Sequence, residues 1–316
     1  NVAVGYAALT LNSTGSRNTA VGQFSLYSNT GTDNAAFGWY SLLNNTSGTN
    51  NTAIGRSANQ NNTTGDNNTS VGYASLAANT TGIQNTAIGA YAGDGLTTGG
   101  ENTAVGYQAL TGDTLGSKSV AVGRMALLSQ NFTSATDAYN VAVGHNAGQQ
   151  VTTGVSNTLI GGLAGSAITT GFDNTLIGAR AGDALTDADY NVAVGRSALT
   201  SDTLGSRSVA VGYQALAFQN FTTATETYNV AVGHLAGNQV TTGVRNTLLG
   251  GLAGDALTDA DDNVAVGYLA VSTETVGSRS VAVGSQALKD QNQAGAGNRY
   301  NTAVGFYAGQ AVTSGT

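Results

Sequence analysis

The feature that most constrains this chain is a glycine that returns about every 17 residues along its whole length. Taken as position zero, it stands at Gly5, Gly22, Gly38, Gly55, Gly72, Gly89, Gly106, Gly123, Gly144, Gly161, Gly178, Gly195, Gly212, Gly233, Gly250, Gly267, Gly284 and Gly305. The step is 17 residues except for one of 16, from Gly22 to Gly38, and three of 21, ending at Gly144, Gly233 and Gly305. A fixed period of this size is the signature of a solenoid, in which each unit packs mainly on its neighbours. A longer duplication lies over it: QNFTSATDAYNVAVGH recurs 89 residues later as QNFTTATETYNVAVGH, and a third copy follows that is shorter by one unit. Loss of a whole unit is what a stack tolerates.

Within a unit, β-branched and small residues lead into a turn of Asn, Asp, Thr and Gly, with no 3.6-residue stripe long enough for a helix. One coil per unit gives an all-β parallel solenoid of eighteen coils, a single continuous repeat domain over 1–316, about 85 Å long at the strand spacing. Position −1 is mostly Val or Ile, −3 Thr or Val, and −2 Ala or Leu, so both faces of the short strand are expected to be buried. Position +3 is Ala or Ser in all eighteen units, which marks the interior of a narrow coil. Glycine at +10, as in Gly65, Gly82, Gly116 and Gly205, is expected to supply a positive φ where the chain reverses. Asn at −4, replaced by Ser at Ser119, Ser208 and Ser280, and Thr at +8 predict two polar ladders running from coil to coil. Such a coil encloses little apolar volume, so the −1 side chains call for cover from further copies of the rod, two, three or more.

Composition narrows the function classes. The chain has 45 glycines, no proline, no cysteine and 9% charged residues, a poor fit to an ordinary globular enzyme. A net charge of −7 with two lysines leaves no basic face for nucleic acid or an anionic membrane. No apolar run reaches the ~20 residues that span a bilayer. The sequence opens inside a repeat unit, on Asn1-Val-Ala-Val-Gly, so it is expected to be a piece of a longer fibre.

The cores NVAVG, NTAIG, SVAVG and NTAVG, each followed by two variable residues and Ala or Ser, resemble the NSVAIGxxS repeat of the YadA-like heads of trimeric autotransporter adhesins. Longer units such as NTAVGYQAL are similar to repeats of phage tail fibres and large bacterial surface proteins. The resemblance runs through all eighteen units and departs from the adhesin pattern in repeat length. It implies a left-handed parallel β-roll, a side-by-side homotrimer, no cofactor, an extracellular location, and a role in holding or contacting a surface.

Candidate contacts lie where the repeat varies. Position +1 carries Tyr107, Arg124, His145, Arg196, Tyr213, His234 and Tyr268, residue types that suit a stripe binding a glycan or protein receptor. The alternative is that these rings pack over a turn or a chain-to-chain seam. The insertions Gln130 to Tyr139, Gln219 to Tyr228 and Gln291 to Tyr300 are expected to bulge outward as loops, with Phe132, Tyr139, Phe221 and Tyr228 as receptor contacts or as rings folded back to plug the step. The acidic turns at 183–189 and 255–262 match no standard calcium loop and are expected to be solvated. Nothing in the pattern suggests catalysis: His145 and His234 are duplicates of one repeat position, and no glycine run ends in the Lys-Ser/Thr of a phosphate loop. Two other functions compete with an adhesive fibre. One is ice binding through the regular threonine rank, and the other is a polysaccharide depolymerase carried on a fibre.

Overall fold

The computed structural model describes residues 1–292 and 295–313, and among these there is no helix. The chain divides into two compact units, Asn1–Ser156 and Asn157–Thr316. Each contains nine coils, and each coil contributes one three-residue strand ending just before its zero glycine. Within each unit successive strands pair in parallel and in register, so that Thr52, Ala53 and Ile54 face Thr69, Ser70 and Val71. Like residues stack on like residues, which makes each position of the repeat a column.

Strand side chains alternate, and the coil is too narrow to bury both sets. Position −2 points in and is fully buried at Ala53, Ala87 and Leu159, among others. Positions −3 and −1 point out, and Ile54 and Ile88 are each 42% exposed. The expectation that both strand faces are buried is therefore wrong for one chain: only the −2 face is inside. The +3 residues fill the same interior as expected, from Ser25 to Ala287.

The backbone turns by means other than those expected. Glycine at +10 does not take a positive φ; it is there because its neighbour coil leaves no room. A Cβ on Gly65 would sit 2.3 Å from the Gly82 carbonyl oxygen. Positive φ falls on the zero glycine, 132° at Gly55, and on side-chain-bearing residues at −5, +2 and +4, such as Gln84 (57°), Ala74 (53°) and Leu76 (50°). Three left-handed corners per coil are uncommon for non-glycine residues. They are held by ladder bonds such as Leu76 N–H to the Ala92 carbonyl at 3.0 Å.

Position +4 couples to +7, a pairing not anticipated from the repeat. Where +4 is a buried leucine, as in Leu26, Leu42 and Leu76, +7 is polar, as in Asn29, Asn45 and Asn79. Where +4 is glycine, +7 is aliphatic, as in Gly165 with Ile168 and Gly182 with Leu185. The reason is space. A Cβ on Gly165 would lie 2.9 Å from Ile168 Cδ1 and 2.8 Å from Leu159 Cδ2.

Both polar ladders form. The Asn51 amide nitrogen donates to the Gly65 carbonyl at 2.8 Å, and its carboxamide oxygen accepts the Asn68 backbone N–H at 2.9 Å. Thr63 Oγ1 donates to the Thr80 carbonyl at 2.9 Å. The buried +7 asparagines make a third ladder, Asn62 Nδ2 to Asn45 Oδ1 at 2.6 Å and Asn79 Nδ2 to Asn62 Oδ1 at 2.9 Å.

Candidate functional site

With −2, +3, +4 and +7 inside, the columns left for recognition are those facing out. Two are rich in aromatic and charged side chains. The first joins positions +1 and +2. Tyr107 and Tyr213 are 45% and 39% exposed, Tyr268 is more so, and Arg124, His145, Arg196 and His234 are all exposed. These residues touch one another from coil to coil. Arg124 Nη1 donates to His145 Nε2 at 3.3 Å. Tyr213 stacks on His234 at 5.4 Å and 15°, and the Arg196 guanidinium lies 5.9 Å from the Tyr213 ring centre. Tyr91, at +2, bridges Tyr73 at 5.1 Å and Tyr107 at 6.3 Å, edge to face in both cases. Sequence reasoning reads both +1 and +2 as variable but takes candidate contacts only from +1 and so misses the +2 rings. The signal was present, since Phe24, Tyr40, Tyr91 and Tyr307 repeat there.

The second column is −5, a left-handed corner whose side chain projects freely. Unpaired reading of the sequence picked only Tyr139 and Tyr228 from it, as loop residues. In the second unit it runs Asp173, Tyr190, Arg207, Tyr228, Arg245, Asp262, Arg279 and Tyr300, with charges and rings meeting between adjacent coils. Arg245 Nε bonds Asp262 Oδ1 at 2.6 Å, and Arg279 Nη1 donates to the Tyr300 hydroxyl at 3.0 Å.

The insertions are partly folded and not simple loops. Thr136–Asp137 pairs in parallel with Gly116–Ser117 of the preceding coil, and Thr225–Glu226 pairs with Gly205–Ser206 in the same way. Residues 133–135 and 222–224 are exposed. Phe132 and Phe221 fold inward, 5% and 7% exposed, so they plug the step and are withdrawn from the set of receptor contacts. Tyr139 and Tyr228 stand outside, each about half exposed. In the third insertion, residues 293 and 294 lie outside the described residues.

Beneath each insertion lies a buried polar cluster. Gln130 Nε2 donates to Asp113 Oδ2 at 2.6 Å and to Ser119 Oγ at 2.9 Å, while the Gly116 N–H donates to Asp113 Oδ1 at 3.0 Å. The same contacts join Gln219 with Asp202 and Ser208, and Gln291 with Glu274 and Ser280. This explains the three serines in the −4 ladder. The long glutamine of the inserted coil occupies the space an asparagine would fill. In the third copy Arg299 Nε also reaches Glu274 Oε2 at 3.5 Å, where the earlier copies have Ala138 and Thr227. These groups are sealed inside and serve the fold.

At the second insertion the −5 column forms a cleft of about 220 Å³. The Arg207 guanidinium lies 4.8 Å from the Tyr190 ring centre and 5.9 Å from that of Tyr228. Its Nε is 3.0 Å from Glu226 Oε1, and the Tyr228 hydroxyl donates to Glu226 Oε2 at 2.7 Å. These two contacts, the tyrosine first, hold the Glu226 carboxyl below its ordinary range. Partial burial pushes Asp189 in the opposite direction.

The acidic turns act as acceptors between coils. Asp189 Oδ1 accepts the Phe172 N–H at 2.9 Å, Asp261 Oδ1 accepts the Val244 N–H at 2.8 Å, and Thr170 donates to Asp187. Among the described residues no three His, Cys, Asp or Glu side chains converge as metal ligands. The threonine hydroxyls at +8 are likewise committed to the next coil's carbonyl, as at Thr97 and Thr186.

No known family's sequence profile matches this chain. No characterised protein matches it either.

Proposed function

We propose that this chain is a structural and adhesive segment of an extracellular fibre, built from three copies side by side and akin to the trimeric adhesin heads and tail-fibre shafts that its repeats resemble. The observation that carries this reading is the outer strand face. In every coil the −1 residue is apolar and points away from the interior, with Ile54, Ile88, Ile160 and Ile177 all more than a third exposed. An apolar rank of this kind, running through the coils of each unit, is a surface that association of identical copies covers. The +1 and −5 columns, beside that rank, then meet the host surface or receptor, and the segment has no catalytic role.

Sedimentation velocity tests the assembly. Wild type is expected to run as a trimer, and Ile54→Glu combined with Ile88→Glu as a monomer with an unchanged strand signal in circular dichroism. A monomeric wild type overturns the reading. For the contact role, Tyr107→Ala with Tyr213→Ala is expected to weaken attachment to the natural surface at an unchanged melting temperature. A fall in melting temperature assigns those rings to packing instead.

A further inference from the structure

The three insertions present the same motif with different completion, and the middle one differs in a way that bears on ligand chemistry. Each places a cation beside a tyrosine at successive −5 corners: Lys118 with Tyr139, Arg207 with Tyr228, and Arg279 with Tyr300. In the first copy, Gly100 and Glu101 stand where the second has Asp189 and Tyr190, and in the third Asp261 and Asp262 stand there. Only the middle copy therefore has a ring on both sides of its cation. Phe172 buttresses the added ring, edge to face at 5.1 Å from Tyr190.

The hydrogen-bonding groups that line this cleft are not used up by the fold. Arg207 engages Glu226 through Nε alone, and among the described residues its two terminal nitrogens bond to nothing. By contrast, Arg245 uses both Nε and Nη2 on Asp262. Asp189, which lines the cleft, accepts one backbone bond through Oδ1, and among the described residues its Oδ2 is engaged by no hydrogen bond. Ser206 Oγ accepts the Asp189 N–H at 3.0 Å and keeps its own proton to donate. Donors and acceptors thus alternate around a space walled by the half-exposed Tyr190 ring, while the Tyr228 ring lies 5.9 Å from the Arg207 guanidinium.

We infer that the Asp189–Tyr190–Arg207–Glu226 cleft binds one neutral pyranose unit of a saccharide. Adjacent ring hydroxyls match the paired terminal nitrogens of Arg207 on one side and the carboxylate oxygens of Asp189 on the other, and the C–H face of the sugar lies against a tyrosine. Size and charge both favour this class. A volume of about 220 Å³ is below the roughly 300–1,000 Å³ of pockets for drug-sized ligands, and suits a single ring. Two carboxylates and a chain net charge of −7 repel an anionic sugar, while Arg207 occupies the place a cation would take. The inference rests on the reading of the −5 column as a contact surface, and names what that surface holds.

The test is ligand-observed saturation-transfer NMR on the intact chain with the methyl glycosides of glucose, galactose and N-acetylglucosamine, and with glucuronate as the anionic arm. Saturation transfer to at least one neutral glycoside is expected, with affinity falling about tenfold or more in Arg207→Ala and in Tyr190→Glu. The second variant installs the residue that the first copy carries at the same corner, where φ is 60° for Glu101 and 58° for Tyr190, so the backbone is already proven for it. Tyr190→Phe is expected to retain binding, and Lys118→Ala to leave it untouched. No transfer to any neutral glycoside, tighter binding of glucuronate, or binding that survives Arg207→Ala overturns the inference. If that happens while the wild type still sediments as a trimer and attaches to its surface, the cleft assignment alone fails. A monomeric wild type that binds the sugar leaves the cleft intact and removes the fibre reading.

Discussion

Two stretches of the molecule fill the same small coil in opposite ways. From Gly22 to Asn79 the interior pairs a leucine at +4, or in one coil Asn59, with an asparagine at +7, over alanine or serine at −2. From Leu159 to Leu185 it pairs glycine at +4 with isoleucine or leucine at +7, and −2 is itself leucine. The backbone is the same in both, including the left-handed corner at +4, 50° at Leu76 and 55° at Gly165. What the coil requires is a fixed interior volume and satisfied polar atoms, and two sets of side chains meet that requirement. The interior therefore carries no information about a partner. The difference between the stretches also shows where polar filling has a cost. The asparagine ladder stops at Leu96, and Asn79 Oδ1, which would have accepted from the next rung, is left buried with no partner.

The most damaging way to break the comparison is to empty the leucine coil. Leu76→Ala removes a fully buried side chain and is expected to cost about 2–5 kcal/mol, read as a fall in the urea midpoint. Overfilling the glycine coil comes next. Gly165→Leu drives a Cβ to within 3 Å of Leu159 and Ile168 and is expected to cost about 1–3 kcal/mol in the same measurement. A similar loss, about 1–3 kcal/mol, is expected for Asn62→Leu, which strands Asn45 Oδ1 inside the first unit and takes from Asn79 Nδ2 one of its acceptors, leaving it the Gly82 carbonyl and Asn59 Oδ1. Its size relative to Leu76→Ala measures how much the polar filling contributes beyond volume.

Converting one type into the other sharpens the point. Gly93→Leu with Leu96→Asn rebuilds that coil in its neighbours' image, over an alanine at −2 that already fits, and supplies the donor Asn79 lacks. The double variant is expected to raise the midpoint by on the order of 1 kcal/mol, while Gly93→Leu alone lowers it.

The smallest effect concerns Asp255, whose Oδ1 is buried without a hydrogen-bond partner. Burial raises its carboxyl above the ordinary value of 3.8, so the fold prefers the protonated form. The associated stability is present in full below that ordinary value and is lost as pH rises through the raised folded value. At pH 7 Asp255 therefore destabilises the chain. Asp255→Asn is expected to raise the melting temperature at neutral pH and to have no effect at about pH 3, as thermal melts at the two pH values will show.

The period, the coil count, the absence of helix and the small interior at +3 were all legible in the glycine spacing, because a parallel in-register stack turns each repeat position into a column. The asparagine and threonine ladders followed for the same reason. The coupling of +4 with +7 was also written in the residues, as an alternation of Leu with Asn and Gly with an aliphatic. Finding it required knowing that the two positions share one interior.

Of the candidate site, the +1 column could be read as variation against a constant frame. Phe132 could not be separated from Tyr139, since a phenylalanine and a tyrosine in one insertion look alike until the chain path shows that one turns in and the other out. Sequence by itself determined which residues are scaffold and which are free to vary. Tertiary structure decided which way each strand face points, that glycine at +10 answers to a neighbouring carbonyl and not to φ, and that Asp189, Tyr190, Arg207 and Glu226 line one cleft. The physical reason is that these depend on distances between coils, and residues one period apart in sequence become contacts only once the coil has closed.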